Sequence, residues 1–142
     1  MPTDIESRAL ARGILAELDD ERLVLALPGT EYRLYLRPTV SAAEITTPPG
    51  KRISGTIRAT ALRMYPARAG GRFMEPIWGE PRIVQGTILA VEAGRVLVDV
   101  SVPMWVTLQE GQDVTRLAEG QMVNFYVRSG ASFCPIERWK ET

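Results

Sequence analysis

The dominant pattern along the chain is strict alternation of apolar and polar positions. In "GILAELDDERLVLAL" (13–27), Ile14, Ala16 and Leu18 share one parity, and Leu23, Leu25 and Leu27 share the next. Period two over four to eight residues marks strands with one buried face. The intervening Asp19-Asp20-Glu21 reads as a tight turn. Leu34 and Leu36 define a third strand. "SAAE" (41–44) has the form of a capping box and predicts one short helical turn, ended by "TTPPG" (46–50). A long strand follows from about Arg52 to Tyr65, with Ile53 and Ile57 inward and Gly55 and Ala59 as small inward partners. Leu62 and Met64 fall on the other parity, which predicts a bulge or sharp bend near Ala61. Gly70-Gly71 then turns the chain into a last strand, Arg72–Trp78.

The remainder repeats this order. Strands are expected over 83–92, 95–102 and 104–109, with Ala93-Gly94 as the first turn. "DVTRL" (113–117) takes the place of the short helix, and strands follow over 121–129 and 132–136. Three blocks match between the halves in the same order. "GILAELDDERLVLAL" aligns with "GTILAVEAGRVLVDV" (86–100), placing Gly13 on Gly86 and Arg22 on Arg95. "GKRISGTIRA" (50–59) aligns with "GQMVNFYVRS" (120–129), placing Arg58 on Arg128. "FMEPI" (73–77) corresponds to "FCPI" (133–136). Such self-similarity is the mark of a duplicated unit.

Three strands, a short helix and two strands is the order of the OB-fold, a five-stranded Greek-key barrel. The leading glycine, the "GRVLVDV" hairpin and the "EGQMVNFYV" entry to strand four resemble OB-type barrels in general, including S1-like ones. The expected fold class is all-β. It comprises two sequence-related, five-stranded OB-like Greek-key barrels in tandem, with a short helix between strands three and four of each. The expected division is 1–80 and 81–142. SH3-like barrels, or one larger closed barrel made from both repeats, are the alternatives. Barrels of about 70 residues are marginal alone. The junction "PIWGEPRIVQG" (76–86) has no flexible-linker character. The halves are therefore expected to pack on each other, with the chain ends, including Trp139, across the seam. "TDIE" (3–6) is expected to cap one helical turn before strand one.

Composition then narrows the function classes. The 142 residues are 45% hydrophobic, as in an ordinary globular protein. No apolar run approaches the roughly 20 residues that span a bilayer, and the first residues have no signal-like apolar core. No membrane association is expected. One cysteine, Cys134, precludes an internal disulfide and points to the cytoplasm. There is no histidine. This removes the commonest general base and zinc ligand, and with them every Ser-His-Asp or Cys-His arrangement. "ARAGGR" (67–72) lacks the strand-to-helix context of a phosphate-binding loop. No catalytic constellation, metal site or cofactor is expected.

Net charge is zero, yet unevenly spread. Residues 1–32 hold seven acids against three bases, 33–82 three against nine, and 83–142 seven against five. The middle third is a candidate anion-facing surface. Alternation places Arg33, Tyr35, Arg37, Thr56, Arg58, Arg63 and Tyr65 outward in the first half, and Trp105, Thr107, Asn124, Tyr126 and Arg128 in the second. The OB resemblance implies binding of single-stranded RNA or DNA on strands two and three and the strand 4–5 loop. That loop, in the stretch 63–73, offers Arg63, Tyr65, Arg68, Arg72 and Phe73. The competing reading is cross-strand pairs with no ligand, in a structural, protein-binding or self-associating module. An exposed Trp105/Tyr126 pair and the acidic turn 19–21 favour it, whereas Phe73 and Trp78 are expected to act as core or interface plugs.

Overall fold

The computed structural model describes residues 4–109 and 111–136. A short helix, α1 (Asp4–Arg8), leads into β1 (Ala11–Leu18), β2 (Leu23–Ala26) and β3 (Arg33–Pro38). A 3-10 turn at Ala42–Glu44 precedes the fifteen-residue β4 (Arg52–Pro66). The short strands β5 (Phe73–Glu75) and β6 (Trp78–Gly79) follow. Next come β7 (Ile83–Glu92), β8 (Arg95–Asp99) and β9 (Pro103–Leu108). A second 3-10 turn, Val114–Arg116, precedes β10 (Met122–Val127) and β11 (Ser132–Pro135). The fold is all-β, with one large mixed sheet. Among the described residues no helix is long and apolar enough to cross a membrane.

The strand pairings form two closed circuits that share β4. In the first, β1 pairs β2, β2 pairs β3, β3 pairs β11 in parallel, β11 pairs β4, and β4 returns to β1. In the second, β7 pairs β8, β8 pairs β9, β9 pairs β4 in parallel, β4 pairs β10, and β10 returns to β7. The halves of the sequence therefore exchange strands. Residues 58–66 of the first half complete the second circuit, and β11 of the second half completes the first. This corrects the expectation that each half closes on its own strands; pairings run both ways across the expected boundary at residue 80. The reason lies in β4. Fifteen extended residues reach about 50 Å, too far for a single small ring of strands.

The parity change falls past the switch at Arg58, inside the second circuit. Ile53, Ile57, Ala59 and Ala61 are buried, then Leu62 is exposed and Met64 is buried again. Tyr126 pairs with Arg63 and Val127 with Ala61, so Leu62 is the extra residue of a bulge. The expected last strand of the first half, Arg72–Trp78, is split. Its β5 pairs with β7 and its β6 with β3.

One apolar core runs through both circuits, from Leu15, Leu25, Leu34 and Ile57 to Ile88, Val98, Met104 and Phe125. Phe133 on β11 is fully buried in it. Its match in the sequence, Phe73, is only half-buried and does not plug the core. The inward face of β1 also differs from the expected one. Ala11, Gly13 and Leu15 are buried, while Ile14, Ala16 and Leu18 are half-buried. A register shift between Leu15 and Glu17 reverses the parity along this strand.

Matched positions in the two halves meet matched surroundings. A Cβ on Gly13 would lie 2.7 Å from the Leu25 side chain and 2.8 Å from the Ala26 carbonyl oxygen. On Gly86 it would lie 2.7 Å from Val98 and 2.6 Å from the Asp99 carbonyl oxygen. Gly50 N–H donates to Leu15 O at 2.7 Å, and Gly120 N–H to Ile88 O at 2.8 Å. Both β1 and β7 shift register at the residue after this bond.

Two outcomes are expected. G13A and G86A each lose about 1–3 kcal/mol in urea denaturation, because backbone must move to admit the methyl group. G71A, where a Cβ meets nothing within 4 Å, stays close to wild type. A chain ending at Gly130 lacks β11 and leaves the facing edges of β3 and β4 unpaired. It should self-associate further or unfold, and a peptide of residues 131–142 should restore the full-length protein's size by light scattering. A truncated chain that keeps the full-length size with an unchanged melting temperature would rule out the shared-strand account.

Candidate functional site

The outer face of β3 carries Arg33, Tyr35 and Arg37, alternating with the buried Leu34 and Leu36. Each of the first two takes part in a stack of arginine on an aromatic ring. The Arg22 guanidinium lies 4.5 Å from the Tyr35 ring centroid. Tyr35 stands opposite Val24 in the register, and Val24 is buried although it faces outward. Arg33 pairs with Trp78 across β3 and β6, its guanidinium 4.8 Å from the indole centroid. The Trp78 indole N–H donates to Glu31 O at 3.0 Å.

Trp78 remains 59% exposed, so it is a surface ring and not the plug expected of it. Together with Ile14, Ala26, Glu31, Tyr32 and Arg33 it lines a groove of about 470 Å³. Arg37 lines a neighbouring depression with Arg22, Asp19 and Glu21. The face is therefore mixed in charge. Its acids have structural tasks. Asp19 Oδ1 accepts the N–H groups of Glu21 and Arg22 at 2.8 and 2.9 Å, shaping the turn. Asp20 Oδ1 accepts Ala42 N–H at 2.7 Å at the start of the 3-10 turn.

The matching position of the second half is closed. Arg95 stacks on Trp105 at 3.7 Å, as Arg22 stacks on Tyr35. Here α1 lies over the pair. Ile5 and Ala9 pack with Leu89, Ala90, Leu97 and Trp105 in a second apolar cluster. Arg8 fastens the helix through a 3.1 Å hydrogen bond to Leu89 O and a 3.9 Å ion pair with Glu119. Trp105 is only 6% exposed, which corrects the expectation of an exposed Trp105/Tyr126 pair; Tyr126 alone is open. Alternation placed Trp105 outward, as found, but cannot foretell that a helix folds over it.

The stretch 63–72 is also not one loop. Arg63 and Tyr65 belong to β4, opposite Tyr126 and Asn124 of β10. Arg63 donates to the Tyr65 hydroxyl at 3.0 Å, which holds its guanidinium above the usual pKa. The loop proper is 67–72, and it is tied down. Gln85 Nε2 donates to Ala69 O and Gly71 O at 3.2 and 2.9 Å, and Asn124 Nδ2 donates to Gln85 Oε1 at 3.0 Å. Arg72 is held by Asp99 at 2.6 Å. Arg68 is exposed and, among the described residues, has no ion pair.

Beside β4, the Gln112 carboxamide accepts Met64 N–H at 3.1 Å and donates to Met64 O at 2.7 Å, as a neighbouring strand would. Asp113 sits close by, its carboxyl held below the usual range by the Thr115 hydroxyl and N–H. Sequence reading passed over both glutamines. The only trace of Gln85 was a polar residue at an outward position of an apolar strand.

Most of the expected arginines and aromatics fall into three groups, while Arg68 and Arg72 lie in the 67–72 loop and Trp105 under α1. Arg33, Tyr35 and Arg37 share β3; Arg63, Tyr65 and Tyr126 share the β4–β10 face; Arg58 and Arg128 line one small cavity where the circuits meet. Trp139, expected across the seam, lies outside the described residues. Among the described residues no three Asp, Glu or Cys side chains converge as a metal site would require. The grooves instead offer flat rings, guanidiniums and hydroxyls, which suit stacking and charge pairing. In comparisons with known proteins, no family model, no curated protein and no solved structure matches this chain.

Proposed function

We propose that this chain is a non-catalytic binding module made of two OB-like barrels that exchange their closing strands. Its ligand in this reading is single-stranded nucleic acid, held on the outer face of β2 and β3. The barrel reading rests on the closed order β1-β2-β3-β11-β4 with its parallel β3–β11 contact, met again as β7-β8-β9-β4-β10. Five-stranded Greek-key closure of that kind is the OB pattern.

The observation that carries the ligand reading is Trp78, exposed beside Arg33 in the groove that Ile14 and Ala26 floor. A base can lie on the indole while Arg33 and Arg37 follow the phosphates. Tyr35 supplies a second ring two residues along the same strand. A partner protein is the second reading, and α1 favours it. A face with the same arginine–aromatic stack already receives the apolar side of a helix in the second half. The acids among Arg22, Arg33 and Arg37 suit a protein surface as well.

The full-length protein is expected to bind a labelled oligo-dT of about a dozen nucleotides, with affinity falling as salt rises. Fluorescence anisotropy should show W78A weakening it roughly five- to 150-fold, the value of about 1–3 kcal/mol per stacked base. R33Q with R37Q should flatten the salt dependence. If anisotropy stays flat even at low ionic strength, the nucleic-acid reading is abandoned and the β2–β3 face is assigned to a protein partner.

A further inference from the structure

The strand exchange places two matched arginines in one cavity. Arg58 begins "RAT" (58–60) and Arg128 begins "RSG" (128–130), corresponding triplets of the two halves. Both triplets line a single depression of about 170 Å³. Thr107 and Ser132 complete its wall. The backbone fixes this arrangement. Arg58 pairs with Ser132 of β11 on one side and with Trp105 of β9 on the other, at the residue where β4 passes between circuits. Arg128 N–H donates to Thr60 O at 2.8 Å, which locks the second triplet against the first. Ser132 also pairs with Arg37 across β3.

Charge in this cavity is only partly compensated. Among the described residues neither Arg58 nor Arg128 has a carboxylate within ion-pairing distance. The acid at the rim is Glu80, whose Oε1 accepts the Ser129 hydroxyl at 2.8 Å and Gly130 N–H at 3.2 Å. One carboxylate against two guanidiniums leaves the site positive. The hydroxyls of Thr60, Thr107 and Ser132 add neutral donors. The volume equals roughly the share of five or six waters at about 30 Å³ each, which admits a group of five heavy atoms. Guanidiniums recognise tetrahedral oxyanions through paired N–H donors, and hydroxyls satisfy the remaining oxygens.

We infer that this seam cavity is a binding site for a phosphate group, gripped by Arg58 and Arg128 together. The site stands apart from the Trp78 groove and does not depend on the nucleic-acid reading. Its phosphate is either free inorganic phosphate or the terminal phosphate of an oligonucleotide.

Both sources are tested on the full-length protein by following backbone amide resonances. One titration uses sodium phosphate, at ionic strength held constant with chloride. The other compares a trinucleotide with and without a 5′-phosphate. Saturable shifts are expected at Thr60, Thr107, Ser129 and Ser132 in at least one arm. A response to inorganic phosphate alone identifies the free ion. A stronger response to the phosphorylated trinucleotide than to its unphosphorylated form identifies a chain end. R58Q and R128Q should each weaken binding at least tenfold. E80Q keeps an acceptor for Ser129 and Gly130 while removing the opposing charge, so it should tighten binding severalfold. W78A should leave the shifts caused by inorganic phosphate unchanged, which separates this site from the stacking groove. No saturable shift in either arm, or binding that is unaltered in both R58Q and E80Q, overturns the assignment.

Discussion

The structure depends on the backbone hydrogen bonding of one strand. β4 must satisfy both edges along fifteen residues, and one small ring of strands cannot supply partners over that length. It pairs with β1 and β11 in its first part, then with β9 and β10 in its second. Buried strand edges left unpaired are costly, so each half is completed by the other. Two rings that would be marginal apart become one folded unit with one continuous core.

The same constraint explains the local irregularities. β4 reverses its buried parity at Leu62, where its partner changes from β9 to β10 alone. Past β9, Met64 pairs with Phe125 of β10, and at its other edge the Gln112 carboxamide takes the place of a strand. Gly55 serves the exchange in another way. A Cβ there would collide with the Phe133 ring and the Cys134 carbonyl, so glycine lets the incoming β11 lie flush on β4. Glycines 13 and 86 do the equivalent for the first hairpin of each half.

An asymmetry is laid over this matched frame. Both halves present an arginine stacked on an aromatic ring on the outer face of their third strand. In the second half α1 seals that face; in the first, Trp78 and Arg33 border it and leave a groove. The cavity at the seam has the opposite origin. It draws one triplet from each half, and it exists only because the strands cross.

Much of this was legible in the chain. Alternation located nine of the eleven strands, because period two is a direct record of one buried face. Matched glycines and arginines at 13 and 86, 22 and 95, and 58 and 128 recorded equivalent places. The parity change near Ala61 marked the bulge at Leu62, within the part of β4 that serves the second circuit. What the chain did not carry was the identity of each strand's neighbour. A strand exposes the same donors and acceptors whether its partner is ten residues away or seventy, so β11 could be foreseen but not its place beside β3. For the same reason alternation set Trp105 and Trp78 both outward or at a joint, and only packing decided that α1 buries the first while the second stays exposed. Local periodicity fixes which side of a strand is apolar; closure of the sheet, a long-range condition on backbone hydrogen bonds, decides what that side meets.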